Sequence, residues 1–424
     1  MEKFEYPLTP EQVYFYERQK EFPDSTMFNN YPILMKLKDW VDLQKLSECI
    51  IKTIQAHPAF STVIEERNGV LIQKYVPDLI RNIKIEKISE AEFQTVKDDF
   101  VQPLYMNETM LRIRLFETEK AKYFFYDVHQ IICDGYAKNL WAFDMDKVYA
   151  GEELKPDGWF SYLEERENEK FLPHYEESRL YYENLYGNTE WSRYPKTDFS
   201  GENKNKQGIL LRDTDILEGD LEILKNYYLT YNEFFSIISL LSTAMFNNSE
   251  NVISTWTYKG RWEKSHRNIV GAMIMDMPLA LKLKDMTVKQ VFRSIREQVK
   301  GSLLHRDYPY TSLDKNILKD DILCVIDQGR TYDIVNNPKL VNVFEKILKL
   351  NSGNRGIGGS DGGSDNVIDV DFSINQGHVQ IVFDYAAHKY KSETIKKFSD
   401  TLIECANKLL ILMKENKCGS GALF

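Results

Sequence analysis

Residues 123–140 read YFFYDVHQIICDGYAKNL. The run begins with a strongly aromatic and apolar stretch, broken only by Asp127, and ends in His129. Beyond residues 130–133, Asp134-Gly135 opens a helical pattern carried by Leu140, Trp141, Met145 and Val148. A strand that delivers a histidine, followed by a turn and a helix start, is how mixed α/β folds present polar groups at a site. Taken alone, such a histidine is more often a packed, hydrogen-bonded residue than a functional one.

Outward from this stretch the same mixture continues. Towards the N-terminus, residues 33–37 (ILMKL) predict a strand. Residues 41–56 predict a helix through Leu43, Leu46, Ile50 and Ile54. Two short strand patterns at 61–66 and 70–75 flank the turn signal RNG and predict a hairpin. In MLRIRLF (110–116), Leu111, Ile113 and Leu115 alternate with Arg112 and Arg114. In the second half, 232–246 and 286–305 predict helices, and 251–258 and 272–283 predict strands. VIDVDFSI and HVQIVFDY predict a strand pair, and a long helix closes the chain. Residues 150–205, rich in Glu, Tyr, Trp and Pro, read as a short helical passage and then a bridge. The expected organisation is an N-terminal lobe at 1–175, a bridge at 176–210, and a C-terminal lobe at 211–424 with a glycine-rich loop at 351–365. The expected fold class is α/β (α+β), each lobe a mixed sheet packed with helices. A chain of 424 residues exceeds what one core usually supports, so two lobes are also the expectation from length.

Composition narrows the function classes. The formal net charge is −10 and no basic stripe interrupts it, which disfavours nucleic acid and anionic membranes as partners. No apolar run approaches the length of a membrane span. The five cysteines are scattered, without a CxxC pair, as reduced thiols in a cytoplasmic protein would be. The seven histidines form no HExxH, so no metal is expected, and there is no GxSxG elbow for a serine nucleophile. NSGNRGIGGSDGGSD (351–365) has neither GxGxxG nor GK[ST] spacing, so it reads as a surface loop rather than a phosphate cradle.

The stretch VHQIICDG resembles HHxxxDG, the active-site motif of nonribosomal peptide synthetase condensation domains. Four other stretches resemble elements of that family in the same order. They are YPLTPEQVYFYERQKEFPDSTMFNN (6–30), QAHPAFSTVI (55–64, resembling RHxxLRTxF), YKGRWEKSHRNIVGAMIMDMPL (258–279) and HRDYPYTSL (305–313, resembling HQDYPFExL). The resemblance implies two chloramphenicol acetyltransferase-like lobes in a V, with the active-site tunnel between them. It implies donor and acceptor carrier proteins as partners, each bringing a substrate as a phosphopantetheine thioester, and no cofactor bound by the domain itself. The implied product is an amide. Carried over by position, His129 is the first histidine, Gln130 takes the place of the second, catalytic one, Asp134 is structural, and Gly135 leaves room in the tunnel.

Several positions depart from the family pattern. Gln130 does not titrate near neutrality and cannot be a general base. The arginine of the LRT element falls at Ser61, so a buried Asp134 needs another cation, for which Arg112 and Arg114 are candidates by sequence proximity. The asparagine of the FVNT element falls at Met275. Three functions follow: an amide-forming condensation domain weakened by Gln130; a condensation-like domain without chemistry that recruits carrier proteins or a tailoring enzyme; and a free-standing acyltransferase using soluble acyl-thioesters. The loss at both Gln130 and Ser61 favours the second over a single engineered change. Substrate-binding residues are not assigned by spacing.

Overall fold

A computed structural model describes residues 4–21, 29–187, 189–200, 207–313, 322–329, 340–348, 350 and 367–419. The glycine-rich run 351–365 and residues 22–28 of the opening element lie outside the described residues. Contacts divide the chain into two units. The first comprises Met1–Glu169, Lys259–Ile274 and Tyr332–Gly362, and the second Lys170–Tyr258, Met275–Thr331 and Gly363–Phe424.

The first unit is built on a five-stranded mixed sheet. Its order is Phe344–Leu348, Asn30–Leu37, Lys122–His129, Leu111–Glu117 and Ile85–Lys87, with the last pair parallel. Lys122–His129 is therefore the central strand, which explains why its sequence is apolar on both faces, apart from Asp127, instead of alternating. Successive side chains point to opposite faces. Phe124, Tyr126 and Val128 join a core with the helices Leu43–Ala56 and Gly135–Tyr149. Tyr123 and Phe125 join a second core with Phe93 and Phe100. Each of these large side chains, removed from water, contributes about 1.5–3 kcal/mol. Trp141 fixes the packing on the first face: its ring lies 4.6 Å from that of Phe60, and its indole N–H donates to Thr53 Oγ1 at 2.8 Å. The predicted hairpin is present as Thr62–Arg67 and Val70–Tyr75, turning through Asn68 and Gly69, both at positive φ.

The second unit carries a six-stranded mixed sheet. Its order is Met275–Lys282, Asn251–Tyr258, Cys324–Gly329, Ile368–Asn375, His378–Ala386 and Gln207–Leu217. The strand Cys324–Gly329 runs parallel to both neighbours, and the others pair antiparallel. Helices Tyr231–Asn247, Val288–Leu304 and Ser392–Lys414 belong to this unit. The first two start at capping boxes, Thr230 with Glu233 and Thr287 with Gln290. The expected strand pair near residue 375 is present in full register. The passage expected to be partly helical holds two helices, Trp159–Glu169 and Pro173–Tyr186. Among the described residues no helix is long and apolar enough to cross a membrane.

Candidate active site

The central strand ends at His129, opposite Asn30, and the chain then turns through the 3-10 helix Gln130–Ile132. Cys133 is extended, and Asp134 caps the helix Gly135–Tyr149 by accepting from the Ala137 N–H at 2.8 Å. Four backbone amides of the turn have partners. The Gln130 N–H donates to Asn29 O at 2.8 Å and the Ile131 N–H to His129 Nδ1 at 3.1 Å. The Cys133 N–H donates to Gln130 O, and the Asp134 N–H to Gly271 O. The carbonyl of Ile131 accepts from Gln12 Nε2 at 3.1 Å, and Gln12 is itself paired with Gln73 and with the Thr9 N–H. The opening sequence element thus supports the turn through a fully buried amide.

His129 is completely buried. Its Nδ1 accepts a hydrogen bond, so the ring proton sits on Nε2, which has no partner among the described residues. Burial pushes its pKa down to about 3, so the ring stays neutral. A buried neutral imidazole whose accepting nitrogen is occupied is a structural support for the turn. Gln130 differs: its side chain is partly exposed, and its amide makes no hydrogen bond among the described residues. Cys133 is buried and burial pushes its thiol far up, so it is no nucleophile.

Asp134 and Arg261 have fully buried side chains and meet at 2.8 Å between Oδ2 and Nη1. The same oxygen accepts from the Met273 N–H at 2.9 Å. Arg261 also donates to the carbonyls of Lys259, Ile269 and Gly271, and its guanidinium lies 4.6 Å from the Tyr136 ring centre. Arg261 thus fills the role for which proximity suggested Arg112 and Arg114. The sheet register explains the correction. Arg112 stands opposite Asp127 and contacts it at 3.4 Å, while Arg114 makes a two-pronged contact with Glu86. Both lie on a strand that runs away from the turn. Serine at position 61 therefore leaves Asp134 with a cation all the same.

Two glycines have opposite reasons to be glycine. Gly260, at φ +67°, would place a Cβ 1.6 Å from Met273 O, so no other residue fits the approach that delivers Arg261. At Gly135 an added Cβ would meet nothing within 4 Å, so packing does not demand glycine there.

Arg261, Gln12 and His57 are the contributors that sequence reasoning did not assign. Each lies inside a quoted family-like element, but their partners are 127, 119 and 100 residues away, beyond what spacing shows.

The mixed α/β architecture, with this strand, turn and capped helix, is the one the motif led us to expect. The Condensation domain family matches residues 2–415, and the chain belongs to it. It is a condensation domain of the kind found in nonribosomal peptide synthetases. Tyrocidine synthase 3 of Brevibacillus parabrevis is 24% identical over 336 residues, 73% of this chain and 5% of that protein. The chain thus spans a small part of that relative. The solved condensation domain of the monacolin K polyketide synthase MokA is similar in fold, with a TM-score of 0.77, 14% identity and coverage of 96% and 97% of the two chains. So is a solved complex of the X-domain and OxyB from teicoplanin biosynthesis, with a TM-score of 0.76, 12% identity and coverage of 98% and 95%.

Proposed function

We propose that this domain forms an amide between an acyl donor held as a phosphopantetheine thioester on one carrier protein and an amine on a second carrier or free, with Gln130 in place of the proton-accepting histidine. The amine nitrogen attacks the thioester carbonyl, the C–N bond forms, the C–S bond breaks, and the proton lost from nitrogen ends on the departing thiolate. The observation that carries this proposal is the division of labour in the turn. Its backbone is held through the amides of Gln130, Ile131, Cys133 and Asp134, while the side chain at 130 is partly exposed and unengaged among the described residues.

The chemistry tolerates glutamine. An α-amino group has a pKa of about 7.7–8.0, so a usable fraction is neutral without a base. Holding the two reactants together lowers the barrier by several kcal/mol in its own right, and the Gln130 carbonyl oxygen is an acceptor for the amine. The missing base is worth roughly 10²–10⁴-fold in rate. In this role Asp134 and His129 are structural, and Gly135 keeps space for substrate.

A second function, carrier or tailoring-enzyme recruitment without chemistry, draws on Gln130 and on the X-domain likeness. Its other support, the loss of a partner for Asp134 at Ser61, is weakened by Arg261. The deciding experiment loads donor and acceptor carriers and measures amide product with the native protein and with Gln130→His. Product from both, faster with histidine, is expected. Carrier binding with no product from either variant overturns the proposal in favour of recruitment.

A further inference from the structure

Three clusters of titratable groups lie away from the turn: His174, Ser178, His305 and Asp307 in the second unit; Glu11, Arg166 and Glu169; and His57 with Asp144 and Asp157. The last connects by an unbroken series of contacts to the groups that hold Asp134.

We propose that His57 is a positioning residue for the turn at 129–135, acting in its protonated form through Asp157 on the segment 269–273 that fixes Asp134 and Arg261. His57 follows the helix Leu43–Ala56 and is almost fully buried. Its Nδ1 lies 2.8 Å from Asp157 Oδ2, and its Nε2 lies 3.3 Å from Asp144 Oδ2, an ion-pair distance without hydrogen-bond alignment. Both carboxylates are nearly buried. The charged groups facing the ring are these two and Lys147, which pairs with Asp144 at 2.8 Å. The Phe60 ring covers its edge. With His57 protonated, two carboxylates face two cations. With it neutral, Asp157 faces no cation among the described residues and keeps only neutral donors, which compensate a buried carboxylate less well.

Asp157 passes this state on. The oxygen that meets His57 also accepts from the Val270 N–H at 3.0 Å, and its other oxygen accepts from the Trp159 N–H at 3.0 Å. On either side of Val270, the carbonyls of Ile269 and Gly271 accept from Arg261. Gly271 O also accepts from the Asp134 N–H, and the Met273 N–H donates to Asp134 Oδ2. The segment 269–273 is thus held at one end by the His57–Asp157 pair and at the other by Asp134. The net direction for His57 agrees with this role: burial lowers its pKa, but Asp144 and Asp157 outweigh it and raise it above the ordinary histidine value. Asp144 is shifted down correspondingly, by His57 and Lys147 acting against its burial.

The kinetic part of the test rests on the condensation activity proposed above, and the exchange part does not. His57 is followed by NMR in histidine-labelled protein from pH 6 to 10, together with hydrogen-exchange protection of the Val270 and Met273 amides. Amide formation is measured at saturating carriers across the same range. As His57 loses its proton, protection at both amides is expected to fall together by roughly tenfold or more. Over the same range kcat falls, by tens of fold for a small misplacement, while KM stays nearly constant. His57→Gln shows low protection and no transition at any pH. If that variant does not fold, the native titration decides alone. Flat protection at Val270 and Met273 while His57 titrates overturns the proposal. Absence of amide product at every pH refutes the condensation activity and leaves the exchange result to decide the positioning role.

Discussion

Arg261 and Asp134 meet at 2.8 Å across 127 residues of chain, with neither side chain reaching solvent. A buried pair of this kind contributes little net stability when intact, but removing one partner strands the other. Here the pair also joins the N-cap of the helix Gly135–Tyr149 to the segment that bears Gly271 and Met273. Arg261→Ala is expected to lower unfolding free energy by about 3–5 kcal/mol, read as a shift in urea midpoint. Arg261→Lys keeps the charge and loses the fork that reaches three carbonyls, so it restores only part of that loss. A lysine variant as stable as the native protein would show that charge alone holds Asp134.

The two glycines beside the turn separate folding from access. Gly260→Ala is expected not to accumulate as folded protein, because a Cβ there collides with Met273 O. Gly135→Ala is expected to fold with stability within about 1 kcal/mol of native, since its Cβ meets nothing and alanine favours helix. Its amide-forming rate is expected to fall, most for bulky acceptors. An unchanged rate across acceptor sizes contradicts the assignment of that space to substrate.

His129 makes stability sensitive to acid. Its folded pKa is pushed down to about 3, whereas in the unfolded chain a histidine titrates near 6.5. The unfolded state therefore binds the proton first, and stability falls as pH drops from about 6.5 towards 3. His129→Asn keeps an acceptor for the Ile131 N–H and removes the titration. The stability lost between pH 7 and pH 4.5 is expected to be smaller by roughly 2 kcal/mol in this variant. Parallel acid denaturation curves for the two proteins rule out this contribution.

Gln130 is expected to shape the pH–rate profile more than the fold. In the native protein the rate is expected to follow ionisation of the amine alone. Gln130→His is expected to raise the rate at neutral pH by roughly 10²–10⁴-fold and to add an acid limb near pH 6.5, below which the imidazole is protonated and cannot accept a proton. Melting temperature stays within the scatter of ordinary surface substitutions, about 0.5 kcal/mol in stability. A rate gain without a new acid limb assigns the histidine to orientation instead of proton transfer.

The local elements of this fold are legible from periodicity. The strand ending at His129, the helix opening at Gly135 and the hairpin around Asn68-Gly69 follow from patterns of two and 3.6 residues. The short strands Phe344–Leu348 and Cys324–Gly329 were not legible, because their environment comes from strands far away in sequence. The same holds for the site. His129 and Gln130 stand in one motif, and Gly260-Arg261 stands out as a pair. That Arg261 closes on Asp134, and that Gln12 reaches Ile131, depends on long-range packing no spacing reveals. The first unit also draws in Lys259–Ile274, so its boundary cannot be drawn as one cut along the chain.

The hydrogen-bonded backbone of the turn 130–134 has a genetic consequence. Stability at this place depends on atoms that every amino acid except proline shares, and on side chains elsewhere. Residue 130 thus has little bearing on folding, and a single base change turns a glutamine codon into a histidine codon. Under the role proposed for residue 130, a lineage with this architecture is able to set aside proton transfer and recover it later, keeping the same scaffold throughout.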